Sequence, residues 1–265
     1  MLQFLRGTIR QAQRIACVLA LLILIGCKKE VAEPIDFSAD YAHFPLELNQ
    51  PKFYALDSIV LFNTVQGTRY DTARLEVRET LVETFTAADG TETFRGERWD
   101  RRLPDGLWRF RQTFTLSRST TTATREEDNL RFTKLVFPIR AGVRWDGNAA
   151  FDETREFVIG GEFLNIYDGW TYKYARPEED VYQGGDFPTF DNSTLVIQAD
   201  SLDFLIEFRL AYERYAPGIG LVQRFIDARN TQCGVCCNLD FATCGDLPWD
   251  DKAEEGFILI ETFLR

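Results

Sequence analysis

The clearest indication of the fold class is the segment LDFLIEFRLAYE, which occupies residues 202–213. Apolar side chains stand at its even positions, from Leu202 to Tyr212, and charged side chains stand at most odd positions, among them Glu207 and Arg209. Because successive side chains of a β-strand point to opposite faces, this alternation predicts one buried and one solvated face. The segment therefore predicts an antiparallel strand whose even positions lie in the core.

The same period of two returns along most of the chain, and turn residues separate the repeats. Examples of such turns are Asp89-Gly90, Pro104-Asp105-Gly106 and the segment from Pro217 to Gly220. About ten strands joined by short turns predict an all-β, antiparallel up-and-down meander. A sheet of this size must curl, close or split, because a long flat sheet exposes aggregation-prone edges. We therefore expect a curled sheet, half-barrel or barrel-like domain, with one or two short helices near the C-terminus.

The composition excludes several classes of protein. The chain has 265 residues, of which 45% are hydrophobic and 27% are charged, as in ordinary globular proteins. A wholly disordered chain and a polytopic membrane protein are therefore excluded. A single histidine, His43, excludes any site that needs two histidines from one chain. We expect His43 to be a surface residue, because a catalytic histidine needs a nucleophile and an orienting group beside it.

The N-terminus has the features of an export signal. Basic residues are followed by an apolar run over residues 15–25, which is too short to span a bilayer core of about 30 Å. The next residues, Leu24-Ile25-Gly26-Cys27, resemble the lipobox of bacterial lipoproteins. That resemblance implies cleavage before Cys27 and lipidation of Cys27, and several acyl chains would give a stable membrane anchor. The alternative is an uncleaved apolar N-terminus with an incidental cysteine.

These features predict three segments and a location. Residues 1–26 are the expected lipoprotein signal peptide, residues 27–50 the lipidated N-terminus and tether, and residues 51–265 a single β-rich domain. The expected location is the bacterial cell envelope, as an outer-membrane lipoprotein on its periplasmic or surface face.

The net charge of the chain restricts the kinds of partner that it can bind. Cleavage would remove three arginines and no acidic residue, so the net charge would change from −11 to −14. Such a charge opposes binding to nucleic acid. The lipid anchor makes the membrane the expected partner, and the sequence predicts no cofactor.

Four cysteines remain after the signal peptide and Cys27, and all lie within twelve residues: Cys233, Cys236, Cys237 and Cys244. In an exported protein such a cluster predicts two disulfides. We expect Cys236 and Cys237 to pair outward, with Cys233 or Cys244, because a bond between adjacent cysteines is strained. Two alternatives are a zinc site, since Cys233-x-x-Cys236 has ligand spacing, and free thiols.

The remaining candidate sites each have a structural alternative. Trp170, Tyr172 and Tyr174 share one strand face, which predicts either core residues or an aromatic platform for sugars or another protein. Asp146, Asn148, Asp152 and Glu153 offer oxygen ligands, but they lack the spacing of a calcium loop and fit turns better. We therefore predict no metal site and no catalytic residue.

Several short motifs, taken together, resemble a family of Bacteroidota lipoproteins whose function is not established. The motifs lie in order along nearly the whole mature chain, and they are Phe44-Pro45-Leu46-Glu47, Tyr54, Asp57-Ser58-Ile59-Val60, Leu135-Val136-Phe137-Pro138, Trp145-Asp146-Gly147-Asn148, the eight residues from Tyr215 to Val222, and Gly256-Phe257-Ile258-Leu259. The resemblance implies a secreted, lipid-anchored, β-rich domain and brings no catalytic residues.

Three functions follow as hypotheses. The first is a non-enzymatic envelope lipoprotein with a binding or scaffolding role. The second is a carrier that holds a hydrophobic ligand in a curled sheet. The third is a glycan hydrolase that uses paired carboxylates, whose defining feature is their separation across a cleft.

Overall fold

The structure is a computed structural model that describes residues 36–180 and 190–265. The expected signal peptide and its lipidation residue Cys27 lie outside these described residues. Residues from Phe37 to Arg265 form one compact unit. No helix within the described ranges has the length and apolar character needed to cross a membrane.

Twelve strands form one antiparallel sheet, and two more form a separate hairpin. Strands that follow one another in the chain mostly lie side by side, and the last strand pairs with the first, which joins the two arms of the meander. The predicted all-β antiparallel meander is therefore confirmed. The strands are β1 (Lys52–Thr64), β2 (Gly67–Thr86), β3 (Glu92–Arg102), β4 (Arg109–Arg118), β5 (Thr122–Glu127), β6 (Leu130–Val136), β7 (Arg144–Trp145), β8 (Phe157–Ile159), β9 (Glu162–Leu164), β10 (Tyr172–Tyr174), β11 (Thr194–Asp203), β12 (Glu207–Ala216), β13 (Gly220–Asn230) and β14 (Glu255–Phe263).

The sheet is nearly closed into a barrel, because its two edge strands, β6 and β7, come together. The backbone N–H of Thr133 donates to the carbonyl of Gly147 at 2.8 Å, and the indole Nε1 of Trp145 donates to the carbonyl of Thr133 at 2.8 Å. The hydroxyl of Tyr174 also bonds both the N–H and the carbonyl of Val136, at 2.9 and 2.7 Å. Closure occupies the backbone groups that a free edge would expose.

Gly147 is required at this seam by a close approach. A Cβ atom on Gly147 would lie 2.5 Å from the ring of Tyr172, which is too close for any other residue. The motif Trp145-Asp146-Gly147-Asn148 therefore has a structural reason. Its tryptophan donates across the seam, and its glycine makes room for a buried tyrosine.

Short helices lie at both ends of the described chain, and they are α1 (Ser38–Tyr41), α2 (Gly234–Cys237), α3 (Phe241–Gly245) and α4 (Trp249–Lys252). The last three occupy the connection between β13 and β14, as expected for short helices near the C-terminus. A 3₁₀ turn at Pro177–Glu179 is the one other helical element among the described residues.

The segment 202–213 folds differently from the single strand that its pattern predicts. A turn at residues 204–206 divides it between β11 and β12. Within β12 the fully buried inner positions are odd: Arg209, Ala211 and Glu213 are 3%, 0% and 1% exposed. The expectation that the even positions form the core is therefore only partly right for this strand, because Tyr212 is 5% exposed and packs with Leu195 and Ile197, whereas Phe208 and Leu210 are half-buried. The physical reason is that its charged side chains find partners inside the barrel.

The expected tether is partly structured. From Phe37 onward it belongs to the compact unit, and Phe44 is 6% exposed and packs near Tyr215. The guanidinium of Arg118 donates to the carbonyls of Tyr41 and Phe44, both at 3.0 Å. These contacts hold the segment at one end of the barrel.

Candidate functional site

A closed ring of six alternating charges lies inside the barrel. Each acidic residue of this ring has two cationic neighbours, at distances of 2.6 to 3.9 Å. In order around the ring, which we call the ion ring, the members are Glu79, Arg98, Glu261, Arg224, Glu127 and Arg125. All six side chains are at most 16% exposed.

The ion ring continues into a short branch. Glu213 accepts from Nε of Arg224 at 2.8 Å, from Nζ of Lys134 at 2.9 Å and from the hydroxyl of Tyr215 at 2.6 Å. Ring and branch together contain four acidic and four basic side chains, so their formal charges cancel. This cancellation allows so many charges to be buried, because an unpaired ion in the interior is very costly.

The contacts show that these side chains point into the barrel. Arg98 on β3 bonds Glu261 on β14, although two strands separate β3 and β14 in the sheet. Likewise Arg125 on β5 bonds Glu79 on β2, with a bidentate fork at 2.7 and 3.0 Å. Side chains on strands that are not neighbours meet only across the concave face of a curved sheet.

The environment fixes the protonation of the carboxylates. Burial alone would raise the pKa of Glu213, but the attraction of Lys134 and Arg224 outweighs it and lowers this pKa to about 2. Burial likewise opposes the attraction of Arg125 and Arg98 at Glu79, and the pKa of Glu79 falls well below its usual range. Both carboxylates are therefore ionised at neutral pH.

One donor of the network lacks an acceptor. Nη2 of Arg224 is buried and has no hydrogen-bond partner among the described residues, and its nearest carboxylate oxygen, on Glu127, is 3.9 Å away. A buried donor without an acceptor costs about 1–3 kcal/mol. Arg224 therefore has unused capacity to bind an anionic or carbonyl group.

A pocket opens from one end of the barrel onto this network. Its charged floor includes Glu79, Arg125 and Arg224, and Phe44, Phe114 and Leu221 are among its apolar walls. The empty space, including the open mouth, is about 560 Å³, but the volume that the centre of a water molecule can occupy is only about 50 Å³. The inner pocket therefore has room for a small molecule, and the larger figure includes its open mouth.

The mouth of the pocket is built from the N-terminal segment and the turn between β12 and β13. The N–H of Gly218 donates to the carbonyl of Ala42 at 2.8 Å. Gly220 has a φ of +90°, and a Cβ atom there would lie 3.2 Å from Pro45 and 3.3 Å from Nζ of Lys52. Glycine thus lets the turn approach both groups closely.

Lys52 lies at this mouth. Its ammonium donates to the carbonyl of Ile219 at 2.5 Å. Burial lowers its pKa, although Glu79 and Glu47 attract its charge. Lys52, Arg125 and Arg224 give the pocket three positive charges, and Glu47 and Glu79 give it two negative charges. Because the ion ring and its branch are neutral as a whole, the charges around the pocket nearly balance within an acidic protein.

The aromatic strip that was a candidate platform lies in the core. Trp170, Tyr172 and Tyr174 are 5%, 0% and 1% exposed, and the main hydrophobic cluster contains all three. The hydroxyl of Tyr172 donates to Oδ1 of Asn148 at 3.0 Å. The strip offers no exposed stacking face, so these three residues belong to the core and do not form a platform.

Two other candidates have ordinary structural partners. His43 is not a surface residue, because it is 9% exposed and its ring nitrogens lie 3.2 Å from the carbonyls of Asp40 and Asn192. The oxygen-rich segment forms turns, since Asp146 accepts from the N–H of Asn148 and Asp152 accepts from Thr154. The carboxylates of Asp146 and Asp152 therefore accept hydrogen bonds within their own loops.

The cysteine segment contains one disulfide, between Cys233 and Cys244. Cys236 and Cys237 carry free thiols. The structure therefore has one of the two expected disulfides, and it joins the outer cysteines to each other instead of to Cys236 or Cys237. With two sulfurs in a disulfide, the four thiolates of the zinc alternative are not present together.

The charged floor of the pocket is the functional feature that sequence reasoning missed. Glu79, Arg125 and Arg224 stand in strands where a charged position usually indicates solvent. One signal was available. The motifs Phe44-Pro45-Leu46-Glu47 and Tyr215 to Val222, which carry the family resemblance, each contribute residues to the lining of this pocket.

No protein-family model matches this chain, and no similar protein was found among curated sequences or solved structures. The resemblance to the Bacteroidota lipoproteins therefore stays a prediction.

Proposed function

We propose that this chain is a non-enzymatic binding protein of the bacterial cell envelope, whose barrel pocket takes a small carboxylate with a short apolar body. The observation that supports this proposal most directly concerns Nη2 of Arg224. It is a buried donor without an acceptor, and Arg224 lines a pocket with apolar walls. A carboxylate oxygen is a strong acceptor for a guanidinium. The walls around Phe44, Phe114 and Leu221 suit the apolar part of the same molecule.

The size of the pocket favours a small ligand over a lipid. Tyrosines and the ion ring fill much of the barrel interior, and Tyr54, Tyr172 and Tyr174 are at most 2% exposed. A long acyl chain would need the space that these buried side chains occupy. The carrier hypothesis is therefore kept for short ligands only.

The protonation states argue against the carboxylates of the ion ring and its branch as glycosidase acids. A general acid needs a pKa near the working pH. The pKa values of Glu79, Glu127 and Glu213 are instead lowered by the neighbouring cations. These groups are better suited to hold cations in place than to donate protons.

The test compares a carboxylate with the matching alcohol. Isothermal titration calorimetry with hexanoate should give saturable heat, and hexanol should give none, because hexanol lacks the charged head. Gln50→Trp fills the pocket mouth at an exposed position and should abolish binding. Gln66→Trp, an exposed position in the β1–β2 turn outside the pocket, is the matched control and should bind normally.

A second variant tests the guanidinium itself. Arg224→Lys keeps the positive charge but removes Nη2, so hexanoate affinity should fall at least tenfold while the circular dichroism spectrum is unchanged. Absence of heat with hexanoate in the wild type, or equal binding by Gln50→Trp, would contradict the proposal.

The envelope location is proposed on the sequence alone. The lipobox resemblance at Leu24-Ile25-Gly26-Cys27 and the cysteine cluster support export and lipidation. Labelled palmitate should be incorporated into the wild-type chain and lost in Cys27→Ala. Labelling of Cys27→Ala at the wild-type level would remove the anchor from the proposal.

A further inference from the structure

The four cysteines between β13 and β14 differ in exposure. Cys233 and Cys244, which form the disulfide, are both 0% exposed. Cys236 and Cys237 are free and half-buried. A disulfide shielded from solvent therefore lies beside two thiols that solvent reaches.

The sulfur atoms are close enough to react. Sγ of Cys236 lies 3.8 Å from Sγ of Cys244, and Sγ of Cys237 lies within 4.8 Å of both. Thiol–disulfide exchange proceeds by attack of a thiolate on a disulfide sulfur. A small movement of Cys236 brings it to the attacking distance.

The surrounding backbone holds this arrangement under strain. The buried carboxylate of Glu254 accepts from the N–H groups of Gln232 and Val235, at 2.7 and 2.5 Å. Cys233 and Leu239 have φ values of +56° and +68°, a left-handed conformation that non-glycine residues seldom adopt. Strained conformations of this kind cluster at sites that switch between states.

We propose that Cys236 exchanges with the buried disulfide and makes it accessible to thiols of other molecules. The Cys236 thiolate attacks Sγ of Cys244, so a Cys236–Cys244 bond forms and the Cys233–Cys244 bond breaks. Cys233 leaves as a thiolate and takes up the proton that Cys236 released. The step consumes no oxidant or reductant.

The new disulfide contains a half-exposed sulfur. An external thiol, for which glutathione is the probe, attacks Cys236, forms a mixed disulfide with it and releases Cys244 as a thiolate. A second glutathione then frees Cys236 and leaves as oxidised glutathione. Two electrons thus pass from two thiols to the protein's disulfide, with Cys236 as the point of entry.

The reaction should depend steeply on pH. Burial, together with the thiol of Cys237 and the charges of Cys237 and Glu254, raises the pKa of Cys236 to about 11. Because the thiolate is the nucleophile, its fraction is very small at pH 7 and rises tenfold per pH unit below that pKa. The exchange rate should rise in the same proportion between pH 7 and pH 10.

The test measures the rate at which glutathione reduces the disulfide in the full-length folded protein. Cys236→Ser should slow this reduction at least tenfold, and Cys237→Ser, the matched control, should not. After incubation at pH 9, acid quenching and alkylation, fragment-ion mass spectrometry should find the Cys236–Cys244 isomer in the wild type and in Cys237→Ser.

A reciprocal variant keeps the proposal open to refutation if Cys236→Ser does not fold. In Cys233→Ser, mild oxidation should join Cys236 to Cys244. Reduction of Cys236→Ser at the wild-type rate, or a Cys233→Ser chain in which Cys244 does not pair with Cys236, would overturn the relay.

Discussion

On strand β12 the charged residues Arg209 and Glu213 face the inside of the barrel and the apolar residue Phe208 faces outward, which is the reverse of what the alternation suggests. On the inner face, Arg209 and Glu213 are 3% and 1% exposed and satisfied by partners. On the outer face, Phe208 is half-buried and packs against Trp249 of α4, with ring centroids 5.6 Å apart. Alternation therefore predicts a two-faced strand but not which face lies inside the barrel.

The difference in energy between the faces follows from pairing. On the inner face each charged side chain is removed from water and held by fixed partners. Loss of one partner therefore leaves the others as unpaired buried charges. Outside, apolar contacts and solvent-exposed ion pairs are each lost with less consequence. Four substitutions or conditions test this contrast, in order of decreasing effect.

The largest effect is expected from Glu213→Gln. The variant leaves Lys134 and Arg224 facing each other without the carboxylate that both contact. Breaking a buried ion pair on one side typically costs about 3–5 kcal/mol, and the free energy of unfolding from urea titration should fall by this amount. A loss below about 1 kcal/mol would show that the inner network contributes little.

Acidification should reproduce much of that loss in the wild type. The pKa of Glu213 is about 2 in the folded protein against an ordinary value of 4.5, so its contribution is fully present above pH 5. That contribution, about 3 kcal/mol, is lost as the pH falls from about 5 toward 2. Urea titrations at pH 6, 4 and 3 should show this decline, with a shallower slope in Glu213→Gln.

A smaller effect is expected from Phe208→Ala on the outer face. The substitution removes a half-buried ring from Trp249 and from Arg229, whose guanidinium lies 5.7 Å from the ring centroid. Because the site is partly open to water, the expected cost is about 1–2 kcal/mol, below the usual range for a buried phenylalanine. A cost equal to that of Glu213→Gln would remove the contrast between the faces.

The smallest effect is expected from Glu126→Gln on β5. Glu126 pairs with Arg131, and the two side chains are 44% and 57% exposed. Exposed pairs contribute about 0–1 kcal/mol, so the urea midpoint should barely move. The adjacent Glu127 belongs to the ion ring, and Glu127→Gln should cost several times more, which compares the two faces within one strand.

The sequence predicted the fold class because strand periodicity and turn chemistry are local. The turns at Asp89-Gly90 and Pro217 to Gly220 connect β2 to β3 and β12 to β13 as expected. The break at residues 204–206 was missed, since the apolar alternation continues through it. The alternation of apolar and charged residues is the same on both sides of the turn, so the pattern alone does not show where one strand ends and the next begins.

The candidate site was much less predictable. Glu79, Arg98 and Glu261 lie far apart in the chain, and nothing local to any of them indicates that they meet. The Trp170 to Tyr174 strip illustrates the opposite case, because its pattern fitted a core and a surface equally well. Only the curvature of the sheet distinguishes these alternatives.

By itself, the sequence determined that this chain forms an antiparallel meander with short C-terminal helices, because alternation and turn residues act over a few neighbouring positions. The tertiary structure decided which face is enclosed, which charges pair and where a pocket opens. It did so because closing the barrel brings charged side chains of distant strands within 2.6 to 3.3 Å of each other, and at that distance paired charges tolerate burial.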